Sequence, residues 1–180
     1  MVNCLSKKIW QRVNLAALLF VRYNMKNWVK LVISLLLPQL VALGGVMFTK
    51  TGEGSWYQTI QKPSWNPPGW LFGPVWTTLY ILMGISFYLI WKSSVPKEKK
   101  GAVSLWLMQL VLNFFWTFIF FNQQQIGWAL VAIICLWLLI LMTIFAFGKI
   151  NRTAAWLLVP YISWVSFAAM LNYSIWMLNR

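Results

Sequence analysis

Of the chain's 180 residues, 61% are hydrophobic and 9% charged, against about 45–50% and about 25% in soluble domains, so the chain reads as an integral membrane protein. Its net charge of +13 is spread between apolar runs and forms no basic face interleaved with polar contacts, which excludes nucleic acid and leaves membrane lipid as the surrounding partner. With no histidine and only Glu53 and Glu98 as acids, it lacks the groups for a Ser-His-Asp triad, an imidazole metal site, a paired-carboxylate hydrolase or a proton-relay pump.

The first 28 residues read as a basic tail. MVNCLSKKIW begins like a secretory leader, but the apolar core LAALLFV is short and no small-residue cleavage site follows. The alternatives are an interfacial basic helix or an upstream start codon with Met25 as the natural one, the preferred reading. Residues 29–180 hold five apolar runs, near 29–49, 70–91, 103–121, 126–148 and 154–178. Each suits the ~20 helical residues that cross a hydrocarbon core. The expected fold is all-α, an integral membrane bundle of five transmembrane helices. VPKEKK, NQQQIG and GKINRT are short connections, which make successive helices antiparallel neighbours. Twelve Lys and Arg residues fall on the side of the N-terminus and VPKEKK, and three (Lys50, Lys62, Arg180) on the other. That bias predicts a cytoplasmic N-terminus and an external first loop. Cys4 and Cys135 make no CxxC motif and no disulfide framework.

The long first loop, roughly 50–69, runs into the second span through QKPSWNPPGWLFGPVW. Pro63, Pro67 and Pro68 cannot lie in a helix interior, so Pro67-Pro68-Gly69 predicts a stiff turn ending where the helix begins. Such a loop loses little entropy on closing and suits a lid. Trp56, Tyr57, Trp65 and Trp70 line it or anchor it at the headgroups, and for Trp70 the anchor is preferred. Farther along, Phe72, Trp76 and Tyr80 share one face of the second span. Gln109, Asn113 and Trp116 share a face of the third, and Trp164, Ala168 and Asn172 a face of the fifth. Carboxamides inside spans serve as glue between helices or as polar groups of a site. Here they converge with the loop on one side, and Ala168 leaves a recess between its neighbours. The pocket so predicted is flat, apolar and rich in indole, suited to a large planar aromatic ligand.

WYQTIQKPSWNPPGWLFGPVWTTLY, QLVLNFFWTFIFF and PYISWVSFAAMLNYSIW together resemble the signatures of the translocator protein family (TspO/MBR, the tryptophan-rich sensory proteins or peripheral benzodiazepine receptors). The resemblance covers about residues 35 to 178, with Ile60 where Leu is usual. It implies a five-helix bundle, usually a homodimer, in the cell membrane of a bacterium. It implies binding of protoporphyrin IX-type tetrapyrroles and benzodiazepine-type ligands, with Tyr57, Pro67, Trp76, Asn113, Trp164, Ala168 and Asn172 as ligand-binding residues. Some bacterial members degrade protoporphyrin in light, which makes Trp76 and Trp164 photochemical candidates. Two departures stand out. Tyr173 is followed by SIWMLN before Arg180, one residue too many for the family's cholesterol pattern, so no sterol site is inferred. Ile134 stands where many members carry an acid.

Three functions follow as alternatives: a porphyrin-binding receptor or sensor, the preferred one; a transporter of porphyrins or other apolar molecules; and a scaffold whose tryptophans only anchor it. Five spans with no evident inverted repeat argue against alternating access. No cofactor is implied, and catalysis would be at most light- and oxygen-dependent porphyrin breakdown. Without histidine, haem iron lacks its commonest axial ligand, so metal-free porphyrin is the more natural partner than haem.

Overall fold

In hydrocarbon an apolar run satisfies its backbone only by closing each N–H onto its own helix. In the computed structural model, which describes residues 26–180, five helices are long and apolar enough to cross a membrane. The elements in chain order are α1 (Lys26–Val46), α2 (Trp56–Thr59), α3 (Gly69–Lys92), α4 (Pro96–Thr117) with a π-helical turn at Phe118–Asn122, α5 (Ile126–Ile150), α6 (Arg152–Trp156) and α7 (Val159–Leu178). The described residues contain no strand. The expected leader, interfacial helix or upstream start all concern residues outside those described.

The five expected spans are all present, and the differences lie at their ends. VPKEKK is mostly helix, because Pro96 occupies the first turn of α4, where its missing N–H breaks no bond. Glu98 favours the same turn. Lys99 reaches back with Nζ to the carbonyls of Trp91 and Ser93, giving donors to the end of α3 that would otherwise lack them. GKINRT shrinks to Asn151, whose Oδ1 accepts the Ala154 N–H at 3.0 Å and caps α6. The last span is broken after Trp156, and Pro160 sits in the first turn of α7. The first loop carries a helical turn, α2, upstream of its prolines.

Helix α5 packs along both α4 and α7, and α3 lies against α4, α6 and α7. Helix α1 fits close to α3 and α4. A Cβ on Gly84 would meet the Ser34 carbonyl oxygen at 2.8 Å and the Leu35 Cα at 2.9 Å, and one on Gly44 would meet the Phe114 ring at 3.0 Å. In the middle of the bundle Phe87 stacks on Trp106 with centroids 4.2 Å apart. Outward, Leu36, Leu40 and Leu43 of α1 and Leu138, Met142 and Phe145 of α5 are exposed, an apolar girdle that belongs against lipid. Trp28 and Trp156 are exposed at one end, Trp70 and Trp128 at the other, as expected of anchors at two headgroup levels. The first of these ends, which also carries Lys26, Lys30, Lys92, Lys97, Lys99, Lys100, Lys149 and Arg152, is called the basic end below. The second is the loop end.

Candidate ligand cavity

At the loop end the helices diverge around a cavity of about 330 Å³, toward the small end of the usual ~300–1,000 Å³ range for ligand sites. Helix α3 contributes Phe72, Trp76, Thr77 and Tyr80, spaced so that successive turns present one face. Helix α1 contributes Ala42, Gly45 and Val46, where the small Ala42 and Gly45 leave room, and Thr49 follows just beyond its end. The end of α4 adds Trp116 and Thr117, and the π turn adds both Phe120 and Phe121. The turn is closed by the Gln123 N–H on the Phe118 carbonyl at 3.0 Å, five residues back. Helix α7 supplies Ala168, Leu171, Asn172 and Ile175, and the loop supplies Thr51 and Tyr57.

The polar atoms of this wall are largely committed to one another. Tyr80 donates its hydroxyl to Asn113 Oδ1 (3.0 Å). Asn113 Nδ2 donates to the Tyr161 hydroxyl (2.9 Å), which donates to Gln109 Oε1 (2.9 Å). Trp116 Nε1 donates to Asn172 Oδ1 (3.1 Å), and Asn172 Nδ2 donates to the Ile126 carbonyl (3.0 Å). Thr49 and Thr77 each donate to the carbonyl four residues back, at 2.9 Å. No carboxylate, lysine or arginine lines the cavity. What remains for a ligand is aromatic surface: Trp76 stacks on Tyr80 with centroids 5.4 Å apart, and Trp116 leans on Phe120 at 5.8 Å.

The loop is docked over this end. Tyr57 is buried against Phe120 and Phe121, with centroids 6.3 and 5.6 Å away, and donates its hydroxyl to Asn66 Oδ1 at 3.1 Å. Burial pushes the Tyr57 phenol up, and the Asn66 bond opposes this more weakly, so it stays a protonated donor at neutral pH. Lys62 lies over the Tyr57 ring at 4.9 Å, and its Nζ donates to the carbonyls of Tyr57 (2.6 Å) and Ile60 (3.1 Å).

Of the residues singled out in the sequence, Tyr57, Trp76, Ala168 and Asn172 line the cavity. Asn113 stands one layer behind, tethering Tyr80. Trp164 packs behind Phe72 (5.9 Å) and against Phe167 (5.4 Å), with its buried Nε1 unpartnered. Pro67 lies outside the lining, where it accepts from Asn66 Nδ2 at 3.1 Å and precedes Pro68, the N-cap of α3. Sequence reasoning missed the α1 wall and the π turn. Gly44-Gly45 and the run FIFF were the available signals. Among the described residues no three His, Cys, Asp or Glu side chains cluster as a metal site would need.

Comparison with known proteins matches the TspO/MBR family model over residues 34–177. The chain is 42% identical over 156 residues to the Translocator protein of Bos taurus, covering 85% of this chain and 92% of the relative. It is 43% identical over 143 residues to the Tryptophan-rich protein TspO of Chlorobaculum tepidum, covering 77% and 89%. A TspO of Archaeoglobus fulgidus is 38% identical over 153 residues, covering 85% and 99%.

Proposed function

The chain belongs to the TspO/MBR family, and from that premise we propose that it is a membrane receptor or sensor binding protoporphyrin-type tetrapyrroles and benzodiazepine-type ligands at the loop end. The observation that carries this reading is the uncharged cavity walled by Trp76, Tyr80, Trp116, Phe120 and Phe121. Its aromatic faces suit a flat conjugated ligand, with about 0.5–1.5 kcal/mol per favourable ring pair beyond burial. Acidic substituents of a porphyrin find no cation inside. They would stay at the loop end, which carries Lys50, Lys62 and Arg180. Family resemblance also assigns Pro67, Asn113 and Trp164 to the site. In the geometry described above they act from behind the wall or from the loop.

Light-dependent breakdown is the finer part of the proposal. The excited porphyrin takes one electron from an indole, dioxygen adds to the resulting porphyrin radical anion, and the adduct returns one electron to the indole radical cation, so that the net change is addition of O2 across the porphyrin ring. Trp76, in the wall, is the direct donor, and Trp164 acts from behind Phe72. A basic end facing the cytoplasm, a place in a bacterial cell membrane and assembly as a homodimer belong to the same proposal.

Transport is the second reading, because mammalian relatives carry the name translocator protein. Beneath the cavity, however, the Tyr80–Asn113–Tyr161–Gln109 chain and the Phe87–Trp106 stack fill the bundle. A passage would have to break them, so the geometry favours binding and sensing. Titrating the purified protein with protoporphyrin IX in the dark, with tryptophan fluorescence as readout, tests the reading. Saturable quenching that Trp76→Ala weakens supports it. Quenching that is unsaturable, or unchanged by Trp76→Ala, overturns it.

A further inference from the structure

The first loop is held to the bundle in two unlike ways. On the α4 side the attachment is apolar and buried, through Tyr57 against Phe120 and Phe121. On the α7 side Trp65 touches Phe167 at 5.7 Å, and beyond it lies a polar contact between residues 118 positions apart. The Gln61 backbone N–H donates to Asn179 Oδ1 at 2.9 Å, and Asn179 Nδ2 donates to the Gln61 carbonyl at 2.8 Å. A carboxamide carries an acceptor oxygen and a two-proton donor nitrogen side by side, so it can grip both backbone groups of one residue and still donate once more. The same Nδ2 also donates to the Ile175 carbonyl at 2.7 Å, and Ile175 lines the cavity. One side chain thus ties the loop to the last turn of a cavity wall.

We propose that Asn179 is a positioning residue of the ligand site: its two-bond grip on the Gln61 backbone is the releasable clasp that holds the loop closed over the cavity. The contact is exposed, so water competes for the same groups and the clasp opens readily. The buried Tyr57 anchor stays in place and acts as the hinge. Breaking the clasp therefore lets the α7 side of the loop lift without unfolding the bundle. Ligand entry and exit both pass through that opening, and Asn179 sets their rate more than the final affinity.

The inference rests on the proposed ligand site, but the clasp has a readout that needs no ligand. Asn179→Ala removes the grip on Gln61 and also the bond to Ile175. Gln61→Pro removes only the backbone N–H and leaves Asn179 free to cap α7. The residue before a proline must be extended, and Ile60 is, with ψ 148°. Amide exchange of the peptide 56–66 in ligand-free protein is expected to quicken in both variants. Release of protoporphyrin IX after mixing with excess unlabelled competitor is expected to quicken about fivefold, the scale of one or two exposed hydrogen bonds. Entry should quicken too, so that affinity changes less than either rate.

Faster exchange and release in Asn179→Ala with wild-type values in Gln61→Pro would reduce Asn179 to a cap of α7 and overturn the clasp. Faster loop exchange with unchanged release would also overturn it, since the clasp would then not govern the cavity. If wild-type protein binds no porphyrin, the proposed function fails, and loop exchange alone still decides whether the clasp holds the loop.

Discussion

Asn113 is the residue whose replacement separates contact with a ligand from support of the wall. It is 1% exposed, accepts from Tyr80 and donates to Tyr161. Asn113→Leu substitutes an apolar side chain of similar reach and removes both bonds. Tyr161 still donates to Gln109, so only its acceptor lone pair is lost. Tyr80 is left with a buried hydroxyl and no acceptor. Orphaning that donor costs about 1–3 kcal/mol, and the lost bond about 0.5–1.5 kcal/mol. Hydrogen bonds between membrane helices average only about 0.6 kcal/mol in double-mutant cycles, which draws the expected loss to about 2 kcal/mol. Adding Tyr80→Phe removes the orphan, so the double variant should recover about 1 kcal/mol relative to the sum of the single changes. Thermal unfolding of the four proteins in one detergent measures the cycle. Ligand titration of the same four should show Asn113→Leu weakening binding, and little further loss when it is added to Tyr80→Phe. Additive stabilities, or an undiminished binding loss in the Tyr80→Phe background, would refute the tether and make Asn113 a direct ligand contact.

Three further outcomes are expected. Gly84→Ala drives a methyl into the α1 backbone at Ser34 and Leu35 and should lower stability by about 1–3 kcal/mol, whereas Gly101→Ala, with nothing within 4 Å of the added carbon, should leave the melting temperature level or slightly raised. In intact cells carrying a variant without Cys4 and Cys135, an impermeant thiol reagent should label Glu53→Cys and spare Lys100→Cys; the reverse pattern would invert the orientation. Under illumination, Trp76→Phe should keep most porphyrin binding but slow loss of the porphyrin spectrum sharply, and Trp164→Phe should slow it less, since that ring stands behind Phe72. Decay at one common rate in wild type and both variants, equal to that of free porphyrin in detergent, would leave a binder without photochemistry.

The five spans were legible because hydropathy is a property of composition, and membrane helices have few other options. Their ends were less so. Lys97, Glu98, Lys99 and Lys100 look like a loop by charge, yet they are good helix formers behind a proline already suited to a first turn. The aromatic faces of α3 and α7 followed from four-residue spacing, which brought Trp76, Ala168 and Asn172 to the wall. The same spacing could not tell depth. Trp164 and Asn113 share faces with lining residues, but Phe72 and Tyr80, from another helix, come between them and the cavity. The α1 wall carried no polar or aromatic signal, since what it offers is the smallness of Ala42 and Gly45. The Asn179 contact joins residues too far apart in the chain for any local pattern to reveal.

The π turn at Phe118–Asn122 has a consequence for how this wall varies among related chains. Along an α-helix neighbouring side chains diverge by about 100°, which would turn one of two adjacent rings away from any given face. The wider turn narrows that step, and both Phe120 and Phe121 reach the cavity. A relative one residue shorter here would regain a regular helix to its end and lose one ring from the wall. Alignments that put the gap in the neighbouring loop would then pair a lining phenylalanine with a lipid-facing one. Ligand preference in such chains would differ by an insertion or deletion rather than by a substitution, and conservation counted column by column would not register it.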